Sequence, residues 1–314
     1  MPNSRIPIVD AHCDTIGEYQ AGRWDLLTPG QGQVSLPGLR RAGVAVQFMA
    51  SFIETEHKPH NSVHRGLELV KACHRLIEAN PDYLLLFRTY SDVCKALDTG
   101  RTALLLSVEG GEILGGSLAM LSTLHGLGVR SIGLTWNQAN DIAGGVKEPG
   151  GLSKFGEEVI TEMNRLGMLV DVSHLSDPAF WDVMRVTQTP VIASHSCCRA
   201  VHNNPRNLTD DQIKELAAGG GVIGINFYAN FLTGGEAKLQ DVIRHIEHVC
   251  SLVGPDYVGV GSDFDGCDLL PAGLEDTVRL PELAKALLAQ GYSGENVEKI
   301  MGGNFFRVLN QVIG

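Results

Sequence analysis

Eight short apolar runs recur along this chain, at residues 7–10, 44–50, 103–108, 131–135, 168–172, 191–193, 222–226 and 257–261, and segments of helical spacing separate them. The helical segments cover 64–79, 118–127, 155–166, 177–186, 210–218, 239–253 and 281–289, and a closing helix over 294–312 carries its apolar stripe in NFFRVLNQVI. Such alternation predicts parallel βα units, because a parallel neighbour is reached only through a long crossover. The strand runs are continuously apolar, as required where helices cover one face and packed side chains fill the other. The expected architecture is an α/β chain folded as a (β/α)8 TIM barrel. At 314 residues it forms one domain over 1–314, with no repeat or linker to divide it. The run DYLLLF within 76–105 would be a ninth strand, which an edge strand or hairpin outside the barrel would absorb. Asp210 before QIKELAAGGG is expected as the cap of one helix, an acidic N-terminus answered by a glycine stop. Glycine-rich stretches at 141–151 and 229–236 are expected as loops over the barrel mouth.

Six metal-capable side chains stand where these runs end: His12 and Asp14 in IVDAHCDT, Glu109 in ALLLSVEGG, His174 in LVDVSH, His195 in VIASH and Asp263 in VGVGSDFDG. Barrel enzymes place their chemistry at this end of the strands. In His12-Cys13-Asp14, extended-chain alternation sends the imidazole and the carboxylate to one face and Cys13 to the other. Alone, an HxD triplet is common by chance, and a single strand-end histidine is more often a hydrogen-bonded core residue. Two histidines in the same strand-end position reverse that expectation. Together the six residues supply ligands for two cations roughly 3.5–4 Å apart, an arrangement suited to hydrolysis by a shared hydroxide. Thr135-Trp136-Asn137 offers no lysine for a carbamylated bridge, so Glu109, with two oxygens, must bridge a binuclear site. The barrel is thus expected to be of the metal-dependent hydrolase type. Zinc suits the ligands, and manganese or cobalt are alternatives.

Asp263 lies nearer the end of its run than Asp265 and is the better general acid/base; Asp265 is then structural. Asp171 is either a hydrogen-bond partner of a ligand or a helix cap, and Glu112 suits a capping role. Arg199 and Arg206 are both available to clamp a substrate carboxylate. The other eight histidines, at 57, 60, 64, 74, 125, 202, 245 and 248, fall on helical or loop patterns and are expected at the solvated surface.

A formal charge of −11, from 25 basic and 36 acidic side chains, argues against a nucleic-acid or anionic-membrane partner. No run approaches a membrane span and MPNSRIPIVD has no apolar signal core, so a soluble, cytoplasmic chain is expected. No GxGxxG or GKS/GKT loop supports nucleotide binding. Seven cysteines without zinc-finger spacing fit reduced thiols, with Cys197 and Cys198 as packing residues or, less expectedly, a thiol near the metals.

The blocks DAHCDT, SVEGGE, DVSHLSD, ASHSCCRAVHNNPRNLTDDQI, INFY, VGVGSDFDG and GGNFFRVL resemble the renal (membrane) dipeptidase family of zinc metallopeptidases, amidohydrolase-like enzymes, essentially end to end. The resemblance implies one zinc on His12, Asp14 and Glu109 and a second on Glu109, His174 and His195. It also implies that Arg206 binds the carboxylate of a dipeptide and that Asp263 handles the proton while a metal-bridging hydroxide attacks the amide. A D-residue at the C-terminal position would be tolerated, and a homodimer would be usual. Tyr228, in INFY, and Asn137 are the remaining candidates for substrate contact. One departure stands out: mammalian members carry histidine where this chain has Trp136, leaving Asn137 as the nearest hydrogen-bonding substitute. The chain is also expected to be without the leader and lipid-anchor tail of membrane-attached relatives. Trp136 makes a second reading credible, a related hydrolase of another amide, a cyclic amide or a lactone. An inactive metal-binding barrel is a third.

Overall fold

The computed structural model describes residues 6–314; MPNSR, part of the segment read above as free of a secretory signal, lies outside them. Among the described residues nine parallel strands run in chain order: β1 (Ile8–Asp10), β2 (Val44–Phe52), β3 (Leu84–Leu86), β4 (Thr102–Glu109), β5 (Val129–Gly133), β6 (Leu169–Asp171), β7 (Ile192–Ser196), β8 (Val222–Ile225) and β9 (Val258–Val260). Their order is β2-β1-β9-β8-β7-β6-β5-β4-β3, and pairing of β2 with β4, from Val46↔Ala103 to Phe52↔Glu109, closes an eight-stranded ring. The fold is a (β/α)8 barrel. DYLLLF supplies β3, an edge strand that pairs with the start of β4; from Leu106 onward β5 takes over that edge. No helix among the described residues is long and apolar enough to cross a membrane.

Alternate residues of most strands serve two cores. Leu104, Leu106 and Val108 of β4 pack with Leu69 and Leu121 of the surrounding helices. Ala103 and Leu105 instead join Val9, Val46, Phe48, Leu169, Ile192 and Val222. Side chains from six strands can meet only inside the ring. Phe305, Val308 and Leu309 of the terminal helix join the same cluster, with the Phe305 ring 6.1 Å from Phe48.

Three expectations need correction. The closing segment is not one helix: Gly294–Glu298 and Asn304–Val312 are separated by a π-helical turn over Lys299–Gly303. That turn lays Gly302 against β1, where a Cβ would lie 2.6 Å from the Pro7 carbonyl oxygen. The helix Asp210–Ala218 is capped by Thr209, in a reciprocal capping box with Gln212, and Asp210 sits in its first turn. His245 is not a surface residue. It lies on the buried face of Leu239–Val253 with Val242, Ile246 and Val249, its Nδ1 accepting from Cys198 N at 3.0 Å and its Nε2–H donating to Leu232 O at 3.1 Å.

Candidate metal centre

The tip of β1 is held by its neighbours: Ala11 N donates to Val260 O at 3.0 Å, Asp14 N to Phe264 O at 2.9 Å and Asp263 N to His12 O at 3.2 Å. Cys13 turns away and directs its thiol at Phe48 O, leaving His12 and Asp14 on one side. The Nε2 of His12 lies 3.3 Å from Asp14 Oδ2, 3.4 Å from Glu109 Oε2 and 3.8 Å from Asp263 Oδ1. The other oxygen of Glu109 lies 2.8 Å from His174 Nε2 and 3.6 Å from His195 Nε2. Glu109, at the end of β4, therefore stands between two donor groups with one oxygen facing each.

The remaining hydrogen bonds fix the histidine tautomers. His174 Nδ1 lies 3.0 Å from Asn137 Oδ1, which can only accept. His195 Nδ1 lies 2.7 Å from Ser194 Oγ, whose own proton goes to Asp171 Oδ2. Both Nδ1 atoms thus donate, and both Nε2 atoms carry lone pairs, yet these two nitrogens are only 2.9 Å apart. Two facing lone pairs repel, and a cation between them removes the conflict. His12 Nε2 and Asp14 Oδ1 are likewise buried without a hydrogen-bond partner. Three donor sets each fit one ion: His12–Asp14–Glu109, Glu109–His174–His195 and His12–His195–Asp263. The first two match the division that the resemblance implies, and the third adds Asp263 to the ligand shell.

Burial dominates the electrostatics. It raises Asp14 to about 7, helped by the charges of Glu109 and Asp263, and raises Asp263 in the same way. Burial also opposes ionisation of Glu109 and protonation of His12, but here the attraction between them wins: His12 moves up and Glu109 well down. Burial and the Arg206 charge hold His174 at about 4, and burial with the neighbouring imidazoles holds His195 well below its ordinary range. The neutral imidazoles of His174 and His195 beside the ionised Glu109 are the state that a dication requires, whereas His12 must give up its proton to bind one.

The surrounding residues separate into distinct roles. Asp263 accepts from Asn226 Nδ2 at 2.8 Å, and its backbone, like that of His174, is left-handed, with φ 62° and 70°. Such strain in non-glycine residues concentrates at functional sites. Asp265, with φ 65°, accepts from Thr15 Oγ1 and Gln33 N, each at 2.6 Å, and so ties the β1 loop to the segment before the next helix. Asp171 touches no ligand directly and acts through Ser194: it accepts from Ser194 Oγ, which meets His195 Nδ1, and from Ser173 N and Ser194 N at 3.0 and 2.9 Å. Arg206 is buried, donates through Nη2 to His195 O at 3.2 Å and keeps Nε unpaired. Arg199 is spent on Asp177, through two bonds of 2.8 and 2.9 Å, and is not available to substrate. Glu112 pairs with Lys58 at 3.1 Å in the turn after β4. Cys197 and Cys198 are buried thiols whose protonated form burial favours, which makes them packing residues. Tyr228 and Asn137 line the cavity above the ligands, although the Asn137 carbonyl is already engaged by His174.

Sequence reading missed Ser194, Asn226 and Gly266. Gly266 is the site's closest backbone approach: a Cβ there would lie 2.1 Å from Asp14 Oδ2 and 2.7 Å from Asp263 Oδ1. The glycine closing GSDFDG was the available signal. The cavity over the ligands has a volume of about 370 Å³, within the range of small-molecule sites.

A closed barrel whose strand tips gather three imidazoles and three carboxylates beneath one cavity defines a metal-dependent hydrolase. The chain belongs to the membrane dipeptidase family (peptidase family M19), which it matches over residues 3–313, and it is a hydrolytic enzyme of the dipeptidase type. It is 36% identical to dipeptidase aclJ of Aspergillus oryzae, over 98% of this chain and 79% of that one. It is 33% identical to dipeptidase 3 of Mus musculus, over 98% of this chain and 64% of that one. Among solved structures it resembles a metallo peptidase from Rhodobacter sphaeroides liganded with a phosphinate mimic of the dipeptide L-Ala-D-Ala. That match has a TM-score of 0.93 and 27% identity and covers 98% of this chain and all of the other.

Proposed function

We propose that this enzyme is a binuclear zinc dipeptidase that cleaves the amide bond of dipeptides with an L- or D-residue at the C-terminal position. The observation that carries the reading is Glu109, whose two oxygens face two separate donor groups. His12, Asp14 and Glu109 would hold one ion, and Glu109, His174 and His195 the other. When bound, such a pair supplies a water of lowered pKa as nucleophile and polarises the scissile carbonyl. Asp263, held by Asn226 and raised by burial, takes the proton of the attacking water and returns it to the leaving amine. Arg206, with one unspent buried donor, binds the substrate carboxylate and sets the amide over the ligands. The dipeptide-mimic complex of the Rhodobacter sphaeroides relative supports the substrate class. A panel of dipeptides with L and D C-terminal residues, alongside N-acyl amino acids and lactones, tests it on metal-analysed enzyme before and after chelation. Chelator-sensitive hydrolysis confined to dipeptides is expected. Absence of dipeptide turnover with two metals bound would remove the reading.

A further inference from the structure

We propose that the wall formed by Phe52 and Trp136 is the subsite for the side chain of a dipeptide's N-terminal residue, selecting apolar and aromatic side chains there and disfavouring cationic ones. The inference rests on the dipeptidase reading above. Strand order supplies the geometry. Phe52 ends β2, Trp136 follows β5, and β4 with Glu109 lies between those strands in the ring. Across the ring from β4 stands β8, followed by Tyr228 and Phe231, and beside β8 stands β7, whose following loop carries Arg206. The Arg206 guanidinium lies 5.3 Å from the Phe231 ring. A dipeptide with its carboxylate at Arg206 and its amide over the central ligands therefore extends its first residue toward β2 and β5.

The surface waiting there is apolar. The Phe52 and Trp136 rings lie 5.2 Å apart, Trp136 lies 6.1 Å from the His174 ring, and Ala50 and Leu69 complete the wall. Its charges are unfavourable to a cation. The ammonium groups of Lys58 and Lys147 lie 5.5 and 5.8 Å from the Trp136 ring centre. Among the described residues Lys147 has no carboxylate partner. Glu18 and Glu54 also line the cavity, but Arg23 and Arg65 engage both oxygens of each. Because Lys58 is already paired with Glu112 at 3.1 Å, a lysine or arginine side chain in this subsite would meet the uncompensated charge of Lys147 and find no free counter-ion.

The test is kcat/KM of the zinc-loaded enzyme on Gly-Ala, Leu-Ala, Phe-Ala and Lys-Ala. Leu-Ala and Phe-Ala are expected to exceed Gly-Ala by about tenfold or more, the scale of burying several methylenes in an apolar pocket, and Lys-Ala is expected to fall below Gly-Ala. Trp136→Ala should collapse the Leu-Ala to Gly-Ala ratio toward unity. Phe52→Leu, which keeps apolar volume, should lower the Phe-Ala ratio more than the Leu-Ala ratio. Hydrolysis indifferent to the first side chain, or a preference that survives Trp136→Ala, would overturn the subsite and leave the dipeptidase reading standing. Folded, metal-loaded enzyme that cleaves none of the four dipeptides would overturn both.

Discussion

Replacing Ser194 by alanine should weaken metal binding without dismantling the barrel. Ser194 Oγ accepts the His195 Nδ1 proton at 2.7 Å and passes its own to Asp171. Asp171 keeps its bonds from Ser173 N and Ser194 N in the variant, so the backbone of β7 stays anchored. The His195 ring, 2% exposed, then holds a buried donor without an acceptor, a cost of about 1–3 kcal/mol. The ring avoids that cost by moving its proton to Nε2 or by turning, and either change spoils the ligand. Loss of such partners typically weakens a site about 10–100-fold, or about 1.4–2.7 kcal/mol. Asp171→Asn gives an independent check. Its oxygen must stay with the two backbone donors, so its amide N–H points at Ser194 Oγ and the serine proton is turned toward His195 Nδ1. That change enforces the wrong tautomer while every hydrogen bond is kept. Competition with a chromophoric chelator measures the affinity, and thermal unfolding of the metal-free proteins measures the fold. Both variants should lose affinity, and only Ser194→Ala should melt earlier when metal-free. Wild-type affinity in both would refute the assignment of this chain of bonds to His195.

Other outcomes follow from the same geometry. Asp263→Asn should keep at least the ions on the two Glu109-sharing sets and lose most of kcat, as read by metal analysis and steady-state kinetics; full turnover would exclude Asp263 as proton carrier. In Gly266→Ala the new methyl must displace Asp14, so metal analysis should show loss of the ion on His12 and Asp14 ahead of the one on His174 and His195. Burial holds His245 at about 4 against an ordinary 6.5. The unfolded chain therefore binds the extra proton between those pH values, and stability rises with pH across the window and is lost as pH falls through it. The contribution is roughly 3 kcal/mol at neutral pH. Denaturant unfolding at pH 7.5 and 4.5 should show a smaller pH difference for His245→Gln than for wild type; an equal difference would place the titration elsewhere.

The strand runs VAVQFMA and ALLLSV were legible because residues buried on both faces leave no polar alternation, and the ligands were legible because each terminates such a run. Long-range partners were not. Ser194 owes its role to Asp171, 23 residues earlier, and no local pattern joins them. The apolar run before Asp263 and Asp265 was read to Gly261, but β9 ends at Val260 and both aspartates take left-handed backbone, which no local pattern announces. The misreading of His245 was avoidable: it falls three residues after Val242 and four before Val249, on the buried stripe of its own helix. Trp136 was visible as a departure from relatives, whereas the partnership with Phe52 required the closed ring.

The pairing of β1 with β9 sets an order of events during folding. His12 and Asp14 are among the first ligands in the chain, yet their backbone is fixed by Val260, Asp263 and Phe264, about 250 residues later. β2, near in the chain, holds the other edge of β1 through Val9↔Val46, Asp10↔Gln47 and Ala50 N to Cys13 O, so the half-site at the start of the polypeptide is docked on one side and open on the other until its far end arrives. Glu109 ends β4, His174 follows β6 and His195 lies in β7, so the loops that bring these three together are shorter and close at lower entropic cost. Cation uptake should proceed in two kinetic phases during refolding, first at the His174 side and then, with ring closure, at the His12 side. The second ion would act as a latch that slows reopening of the β1–β9 seam.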